Sequence, residues 1–170
     1  MLTPKQEDWL AHLSNEKRVN IVPFDQTAEE KFQHIKSLIQ DSLGTNVPVE
    51  HRGSTSLGIS GQDEIDVYIP VSVEDFPQLQ PSIEKLFGEP RSTYPSRIRF
   101  SADVDSKKID LFLIDKNHED WLRGVAFEEK CRTNPELLEG YETLKKEMNG
   151  WTIQEFYRRK NEFINEILEG

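Results

Sequence analysis

The stretch of sequence that decides the fold covers residues 50–67 and reads EHRGSTSLGISGQDEIDV. Apolar and polar residues alternate along residues 47–52 and again along Glu64–Val71, and this period of two predicts a β-strand in each. Residues 53–61 between them are rich in glycine and serine, which predicts a turn. The segment therefore predicts a strand, a Gly-Ser turn and a second strand in direct succession.

Three acidic residues stand on predicted strands. Glu64 and Asp66 are two residues apart, so their side chains project from the same face. Two hard oxygen ligands this close favour a divalent cation between them, and magnesium completes its shell with waters and substrate phosphates. Asp110 is a charge within an otherwise apolar strand, and a buried charge needs a partner or a metal. The pattern predicts that Glu64, Asp66 and Asp110 are catalytic ligands of Mg²⁺, with Mn²⁺ as the alternative ion.

The turn before the acidic strand has the composition of an anion site. Gly53 allows the backbone to bend and to approach a phosphate closely, and Ser54 offers a hydroxyl and an N–H group beside other turn N–H groups. A Gly-Ser loop and an acid-x-acid strand are each common in unrelated proteins. Their order and spacing, followed by Asp110 on a later strand, resemble the nucleotidyltransferase superfamily that includes polymerase beta.

A more specific resemblance, to the GrpB family, covers the chain from about Val19 to its end. The segments that carry it are Glu50-His51-Arg52-Gly53-Ser54-Thr55-Ser56, Ile65-Asp66-Val67, Trp121, Phe127, Asn134-Pro135-Glu136-Leu137, Tyr141-Glu142-Thr143-Leu144-Lys145, and Tyr157, Lys160, Phe163 and Ile164. The resemblance implies a nucleotidyltransferase fold but supplies no substrate.

The chain also departs from this family. Asp110-Leu111-Phe112 stands where members usually carry His-x-His, Glu64 where they carry an apolar residue or Thr, and Gln62-Asp63 in place of Lys-Pro. The first two changes favour a three-carboxylate metal site, and they weaken any role taken over from the family histidines.

The predicted nucleotide-binding residues combine the turn with the family motifs. They are Arg52, Gly53, Ser54, Ser56, Lys145, Tyr157 and Lys160. Solvated helix charge is the alternative for the two lysines, and packing under the site is the alternative for Tyr157. Arg97 and Arg99 share one face of a strand, where they either neutralise phosphates or pair with the acids. His51 is interpreted as a hydrogen-bonded structural residue, with general-base catalysis as the alternative.

The order of elements predicts a mixed α/β (α+β) fold class, with a small nucleotidyltransferase-like mixed sheet flanked by helices and a C-terminal helical layer. We expect one domain over residues 1–170, in which residues 1–18 are an N-terminal helical extension. The other predicted elements are helices at 5–13, 27–43, 76–87, 119–133, 135–148 and 152–168, an extended piece at 19–23, and a hairpin of strands 97–102 and 107–114.

Charge and composition limit the partners. The chain has 170 residues and a net charge of −10, from 31 acidic residues against 21 Lys and Arg. Such a surface repels a nucleic-acid backbone, so duplex nucleic acid is not an expected partner. Cys131 is the only cysteine, which fits a reducing compartment. No stretch approaches the about 20 apolar residues of a membrane span. We expect a cytoplasmic protein that binds no membrane, and its oligomeric state is open.

These observations predict an Mg²⁺-dependent nucleotidyltransferase that moves a nucleotidyl group from a nucleoside triphosphate to a small-molecule or protein acceptor. The second hypothesis is a catalytically inactive nucleotide- or ligand-binding module of the same fold. A third and weaker one is a kinase-associated accessory domain, although the chain has no Gly-x-x-x-x-Gly-Lys-Ser/Thr loop.

Overall fold

The computed structural model describes residues 1–170, which form seven α-helices and five β-strands. In chain order these are α1 (Pro4–Ala11), α2 (Ala28–Leu43), β1 (Glu50–Arg52), α3 (Gly53–Leu57), β2 (Glu64–Val71), α4 (Phe76–Phe87), β3 (Ser92–Tyr94), β4 (Arg97–Val104), β5 (Lys107–Asp115), α5 (Glu119–Thr133), α6 (Pro135–Glu147) and α7 (Ile153–Glu169). A single 3-10 turn, Val73–Asp75, leads into α4.

The chain divides into two compact units, one built on the sheet and one made of helices. The sheet unit comprises residues 24–59 and 63–124, and the helical unit comprises residues 1–23, 60–62 and 125–170. Each unit therefore draws on separate stretches of the chain. The expectation that the whole chain behaves as a single domain stays a prediction.

The five strands form one mixed sheet in the order β1-β2-β5-β4-β3. Strands β2 and β5 are parallel, and the other three neighbouring pairs are antiparallel. The β4–β5 hairpin is closed at Asp105 and Ser106, whose φ values of 51° and 61° lie in the left-handed region that tight turns use. Because β2 and β5 are parallel, α4, β3 and β4 together form the crossover between them.

One face of this sheet is buried and apolar. Ile65, Val67 and Ile69 of β2 are fully buried and belong to one core cluster, to which β5 adds Ile109 and Leu111. Helices α2 and α4 cover this face with further large side chains of that cluster, among them Phe32, Ile35, Ile39, Leu79, Ile83 and Phe87. Since side chains alternate between the faces of a strand, the polar residues of β2 and β5 are left on the opposite face.

The predicted fold class, a small mixed sheet flanked by helices followed by C-terminal helices, is confirmed by this arrangement. Two elements are absent from the prediction. Residues 53–57 form the short helix α3 rather than a turn. The sequence did not predict this helix, because five residues are too few to show a helical period. Strand β3 was not predicted, because a three-residue edge strand depends on its pairing with β4 and not on an alternating pattern.

Within the helical unit, the N-terminal helix is fastened to the C-terminal one. Asn165 of α7 is fully buried, and its Nδ2 donates to the carbonyl of Met1 at 2.7 Å and to Oε1 of Gln6 at 2.9 Å. Cys131 is also fully buried, and burial raises the pKa of its thiol to about 11. A thiol that stays protonated in this way supports a structural role. No helix combines the length and apolar character needed to cross a bilayer.

Candidate functional site

Glu64, Asp66 and Asp110 meet on the polar face of the sheet. Asp110 lies directly beside Asp66 in the parallel register of β5 and β2. One carboxylate oxygen from each of the three lies within 4.8 Å of the other two. Asp110 is buried, at 4% exposed, and the other two are half-buried. The three predicted ligands are therefore close together, and their role as metal ligands stays a prediction.

The alternation along β2 explains why these side chains converge. Ile65 and Val67 point into the core, which directs Glu64 and Asp66 to the other face. Paired residues of adjacent strands point to the same face, so the side chain of Asp110 lies on the same face as that of Asp66. The apolar pattern that stabilises the sheet thus also sets the positions of the acids.

Two basic side chains form ion pairs with two of the three acids. Arg99 on β4 donates from Nη2 to both carboxylate oxygens of Asp110, at 3.0 Å each. Lys108 on β5 donates from Nζ to Oε2 of Glu64 at 2.8 Å and lies 3.6 Å from Oδ2 of Asp110. Of the two roles left open for Arg99, pairing with an acid is the one observed.

The charge environment of Lys108 differs from that of an ordinary surface lysine. Burial lowers the pKa of Lys108, but the hydrogen bond to Glu64 and the charges of Glu64 and Asp110 outweigh that effect, so its pKa is raised. Lys108 is therefore a permanent cation at neutral pH, in contact with two of the three acids.

Gly53 brings the backbone of α3 against the acidic cluster. Its φ is +75°, in the left-handed region that favours glycine. A Cβ at this position would overlap a carboxylate oxygen of Asp66 and lie 3.2 Å from its Cγ. The glycine is thus required for the position of Asp66, whereas the sequence suggested only close approach to a phosphate.

The other predicted turn residues have structural partners. Ser56 donates from its hydroxyl to the carbonyl of Gly53 at 2.8 Å, and the carbonyl of Ser54 accepts from the N–H of Ile59 at 3.1 Å. Arg52 donates from Nη2 to Oε1 of Glu50 at 2.5 Å. These contacts stabilise the end of β1 and the helix α3, and nucleotide binding by Arg52, Gly53, Ser54 and Ser56 stays a prediction.

Lys145, Tyr157 and Lys160 all belong to the helical unit. Lys145 is 4% exposed, and its Nζ lies 4.6 Å from the ring centroid of Tyr141. Lys160 lies over the ring of Tyr157 in the same way, at 5.4 Å. The hydroxyl of Tyr157 accepts a hydrogen bond from Nε2 of Gln62 at 3.3 Å. Their predicted contacts with a nucleotide stay predictions.

His51 is held on both sides of its ring. Nδ1 lies 2.9 Å from Oε2 of Glu29, and Nε2 lies 2.8 Å from Oγ1 of Thr55. The ring stacks on Phe32 with centroids 4.7 Å apart. With both nitrogens occupied, the interpretation of His51 as a structural residue accounts for its surroundings.

An aromatic row next to the acids was missed at the sequence level. Tyr68 and Phe112 are cross-strand neighbours whose rings stack at 4.6 Å, and Trp121 lies 5.4 Å from Tyr68. The guanidinium of Arg97 lies 5.7 Å from the ring centroid of Phe112. The signal was available, because Tyr68 and Phe112 each follow an acid of the cluster by two residues and must share its face.

The donor set fits a hard divalent cation. Three carboxylates from two strands offer only oxygen ligands, which Mg²⁺ and Mn²⁺ prefer. No thiol or imidazole belongs to the cluster, which argues against a zinc or copper site.

The chain is similar to several known proteins. A family model described as GrpB protein matches residues 18–170. A UPF0157 protein of Vibrio cholerae serotype O1 is 26% identical over 129 residues, which cover 75% of this chain and 69% of that protein. Glutamate-rich protein GrpB of Alkalihalophilus pseudofirmus is 25% identical over 169 residues, which cover 91% of this chain and 96% of that protein.

A solved structure is also similar, with a lower sequence identity than these two relatives. Polymerase beta of Leishmania infantum, in a ternary P/T complex, matches with a TM-score of 0.43 and 12% identity. The match covers 76% of this chain and 63% of the polymerase, so this chain spans less than two thirds of its length. A likeness of this size supports no inference about activity.

Proposed function

This chain belongs to the GrpB family, and on that premise we propose that it is an Mg²⁺-dependent nucleotidyltransferase. It transfers a nucleotidyl group from a nucleoside triphosphate to a small-molecule or protein acceptor. One observation carries the proposal: three carboxylate oxygens, from Glu64, Asp66 and Asp110, lie within 4.8 Å of one another. Gly53, the first residue of α3, lies against Asp66 and so beside these oxygens.

In the sheet unit, one set of residues binds the cation and another binds the phosphates. Glu64, Asp66 and Asp110 hold Mg²⁺, or Mn²⁺ as the alternative. When bound, the ion stabilises the negative charge that develops on the transferring phosphoryl group. Gly53 and Ser54 bind the β- and γ-phosphates through backbone N–H groups and the serine hydroxyl.

The proposed reaction is an in-line displacement at the α-phosphorus. An oxygen of the acceptor forms the new bond to phosphorus while the bond to the bridging oxygen breaks. Pyrophosphate leaves with the bonding electron pair, and the acceptor proton passes to water. The chain's own contribution is to orient the triphosphate and to neutralise charge, which supplies most of the catalysis in phosphoryl transfer.

Further nucleotide contacts are proposed from the family motifs. Arg52, at the end of β1, and Ser56, in α3, extend the proposed phosphate site. Lys145, Tyr157 and Lys160 are proposed as further nucleotide contacts. The support for these three is their match to the motifs and the cation–π pairing that orders both ammonium groups.

The charge of the chain bears on the acceptor. A net charge of −10 disfavours a polyanionic acceptor such as duplex nucleic acid. A small molecule or a protein side chain carries far less charge, so we propose one of these as the acceptor.

A second candidate is a binding module without turnover, and one observation favours it. Arg99 and Lys108 already satisfy Asp110 and Glu64 within the chain itself. If the two ion pairs were permanent, the cluster would be a structural element and would admit no cation.

The proposal is tested by Mn²⁺ binding and by pyrophosphate release. Calorimetric titration with Mn²⁺ should give a saturable site in the wild-type protein. Asp66→Asn should weaken that site by at least about tenfold, because one of three charged ligands is lost. Pyrophosphate released from each nucleoside triphosphate in the presence of candidate acceptors should fall to background in the same variant.

The control is Asp41→Asn, which removes an exposed acid of α2 outside the cluster. It should leave both Mn²⁺ affinity and pyrophosphate release unchanged. Triphosphate binding without pyrophosphate release in the presence of any candidate acceptor would favour the binding module. Absence of a saturable Mn²⁺ site would overturn the metal-dependent proposal itself.

A further inference from the structure

We propose that Lys108 and Arg99 are internal counter-cations that occupy the carboxylate cluster in the metal-free protein and are displaced when a divalent cation binds. The inference rests on the proposed function, because it takes Glu64, Asp66 and Asp110 as the ligands. It goes further by assigning two residues, neither of which is a ligand, that set the affinity of the site.

The ammonium group of Lys108 lies between two of the acids, where it supplies the positive charge that a metal ion would otherwise supply. Its Nζ bridges two acids from neighbouring strands, at 2.8 Å from Oε2 of Glu64 and 3.6 Å from Oδ2 of Asp110. Its side chain is 46% exposed, whereas the side chains of Glu64 and Asp110 are 17% and 5% exposed. The ammonium therefore reaches the cluster from the solvent side and is free to return to solvent.

Arg99 pairs with Asp110, the least exposed of the three acids. The side chain of Asp110 is 5% exposed, and an unpaired carboxylate at that depth would be strongly destabilising. Arg99 supplies two hydrogen bonds of 3.0 Å from one nitrogen and a third of 3.3 Å from Nε. Its own side chain is 38% exposed, so the guanidinium can also turn outward.

A bound cation competes with both contacts for the charge of the carboxylates. Mg²⁺ takes its oxygen ligands at about 2.0–2.1 Å, so it would lie among the oxygens that Lys108 and Arg99 contact. A cationic head about 4 Å from a divalent ion is repelled. Both heads should then move away from the ion, and they become available to phosphate oxygens. A triphosphate that receives them should promote metal binding, and the two ligands should bind cooperatively.

The experiment is a calorimetric titration of the nucleotide-free full chain with Mn²⁺. Lys108→Met removes the charge and keeps most of the aliphatic stem, and it should tighten Mn²⁺ binding by about fivefold, the size expected of a half-exposed ion pair. The matched control is Lys116→Met, which removes an exposed lysine just beyond the other end of β5. It should leave Mn²⁺ affinity unchanged, because its distance from the cluster exceeds the screening length.

A second readout uses thermal unfolding without activity. In a chelator, Lys108→Met should melt below the wild type, and saturating Mn²⁺ should raise its Tm by more than it raises that of the wild type. Lys108→Gln provides the same comparison in a second side chain, and Arg99→Met should show a larger effect because Asp110 is more buried.

The possible outcomes separate this inference from the proposed function. If the wild type binds Mn²⁺ and Asp66→Asn does not, but both Lys108 variants bind like Lys116→Met, the counter-cation role is wrong and the metal site stands. If neither the wild type nor the Lys108 variants bind Mn²⁺, the metal site is refuted and the inference is refuted with it. Tighter binding in both Lys108 variants but not in Lys116→Met supports both.

Discussion

Gly53 and Gly58 form a natural pair for separating backbone strain from steric overlap. Both have left-handed φ values, +75° and +72°. A Cβ at Gly53 would overlap the carboxylate of Asp66, whereas one at Gly58 would meet no atom within 4 Å. Any side chain at either position carries the strain of the left-handed conformation, about 1–2 kcal/mol.

Gly53→Ala is therefore expected to do more than Gly58→Ala. Both should lower the free energy of unfolding by about 1 kcal/mol or more through strain. Only Gly53→Ala should also weaken Mn²⁺ binding, because the added methyl group pushes Asp66 away from the cluster. Urea unfolding and Mn²⁺ titration of the two variants measure the two effects separately. Equal Mn²⁺ affinities in the two variants would show that Gly53 does not set the position of Asp66.

At the scale of elements, Asp25 and Lys107 connect the start of α2 to the start of β5. Lys107 is 4% exposed and forms ion pairs with Asp63 and, at 3.0 Å, with Asp25. Asp25 also accepts hydrogen bonds from the hydroxyl and the N–H of Thr27, at 2.6 and 2.9 Å. The Thr27 bonds and the contact with Lys107 hold the pKa of Asp25 well below its ordinary value.

Asp25→Asn should destabilise the protein by about 1–2 kcal/mol at pH 7, because hydrogen bonds to a charged group are replaced by weaker ones. A carboxyl whose folded pKa is depressed stabilises the fold above its unfolded pKa of about 4, and this contribution is lost as pH falls below that value. The difference between wild type and variant should therefore be constant from pH 7 to pH 5 and shrink towards pH 3. Urea unfolding at each pH gives the comparison, and a gap that stays constant down to pH 3 would contradict the assignment.

The elements that could be predicted from the sequence are those with a long apolar period. Helices α2 and α4 and strand β2 have the predicted bounds to within one residue, because each buries a continuous face in the core. Strand β1 is shorter than predicted, at Glu50–Arg52, because alternation continues beyond its pairing with β2. Helix α3 and strand β3 exist through capping and pairing, which a local pattern does not record.

In the site, too, contacts between residues close in sequence could be predicted, and contacts between distant residues could not. The pairing of Arg99 with Asp110 spans 11 residues within one hairpin, so shared strand faces made it foreseeable. The pairing of Lys108 with Glu64 spans 44 residues and depends on the parallel register of β2 and β5. That register depends on how both strands pack in the core, and a local sequence pattern does not show which residues of two distant strands become neighbours.

At the scale of the whole molecule, the path of the chain bears on how it unfolds. The chain passes between its two units at residues 23–24, 59–60, 62–63 and 124–125. Residues 60–62 join α3 to β2, yet they belong to the helical unit. Gly61 exchanges two backbone hydrogen bonds with Val22, at 2.8 and 3.1 Å, and Ser60 donates two more to Glu142, at 3.0 and 2.8 Å. Unfolding of the helical unit must therefore release the segment that leads into the acidic strand.

We accordingly expect one cooperative unfolding transition, and the tryptophans allow this to be tested. Trp121 is 8% exposed and lies in the sheet unit, whereas Trp9 and Trp151 lie in the helical unit at 38% and 40% exposed. The double variant Trp9→Phe/Trp151→Phe leaves Trp121 as the only tryptophan, so its fluorescence reports on the sheet unit, while far-UV circular dichroism reports on the helices of both units. The two urea transitions should coincide, as a two-state chain requires. A biphasic dichroism curve whose second phase alone matches the Trp121 signal would show that the units unfold independently, and that the chain is two domains.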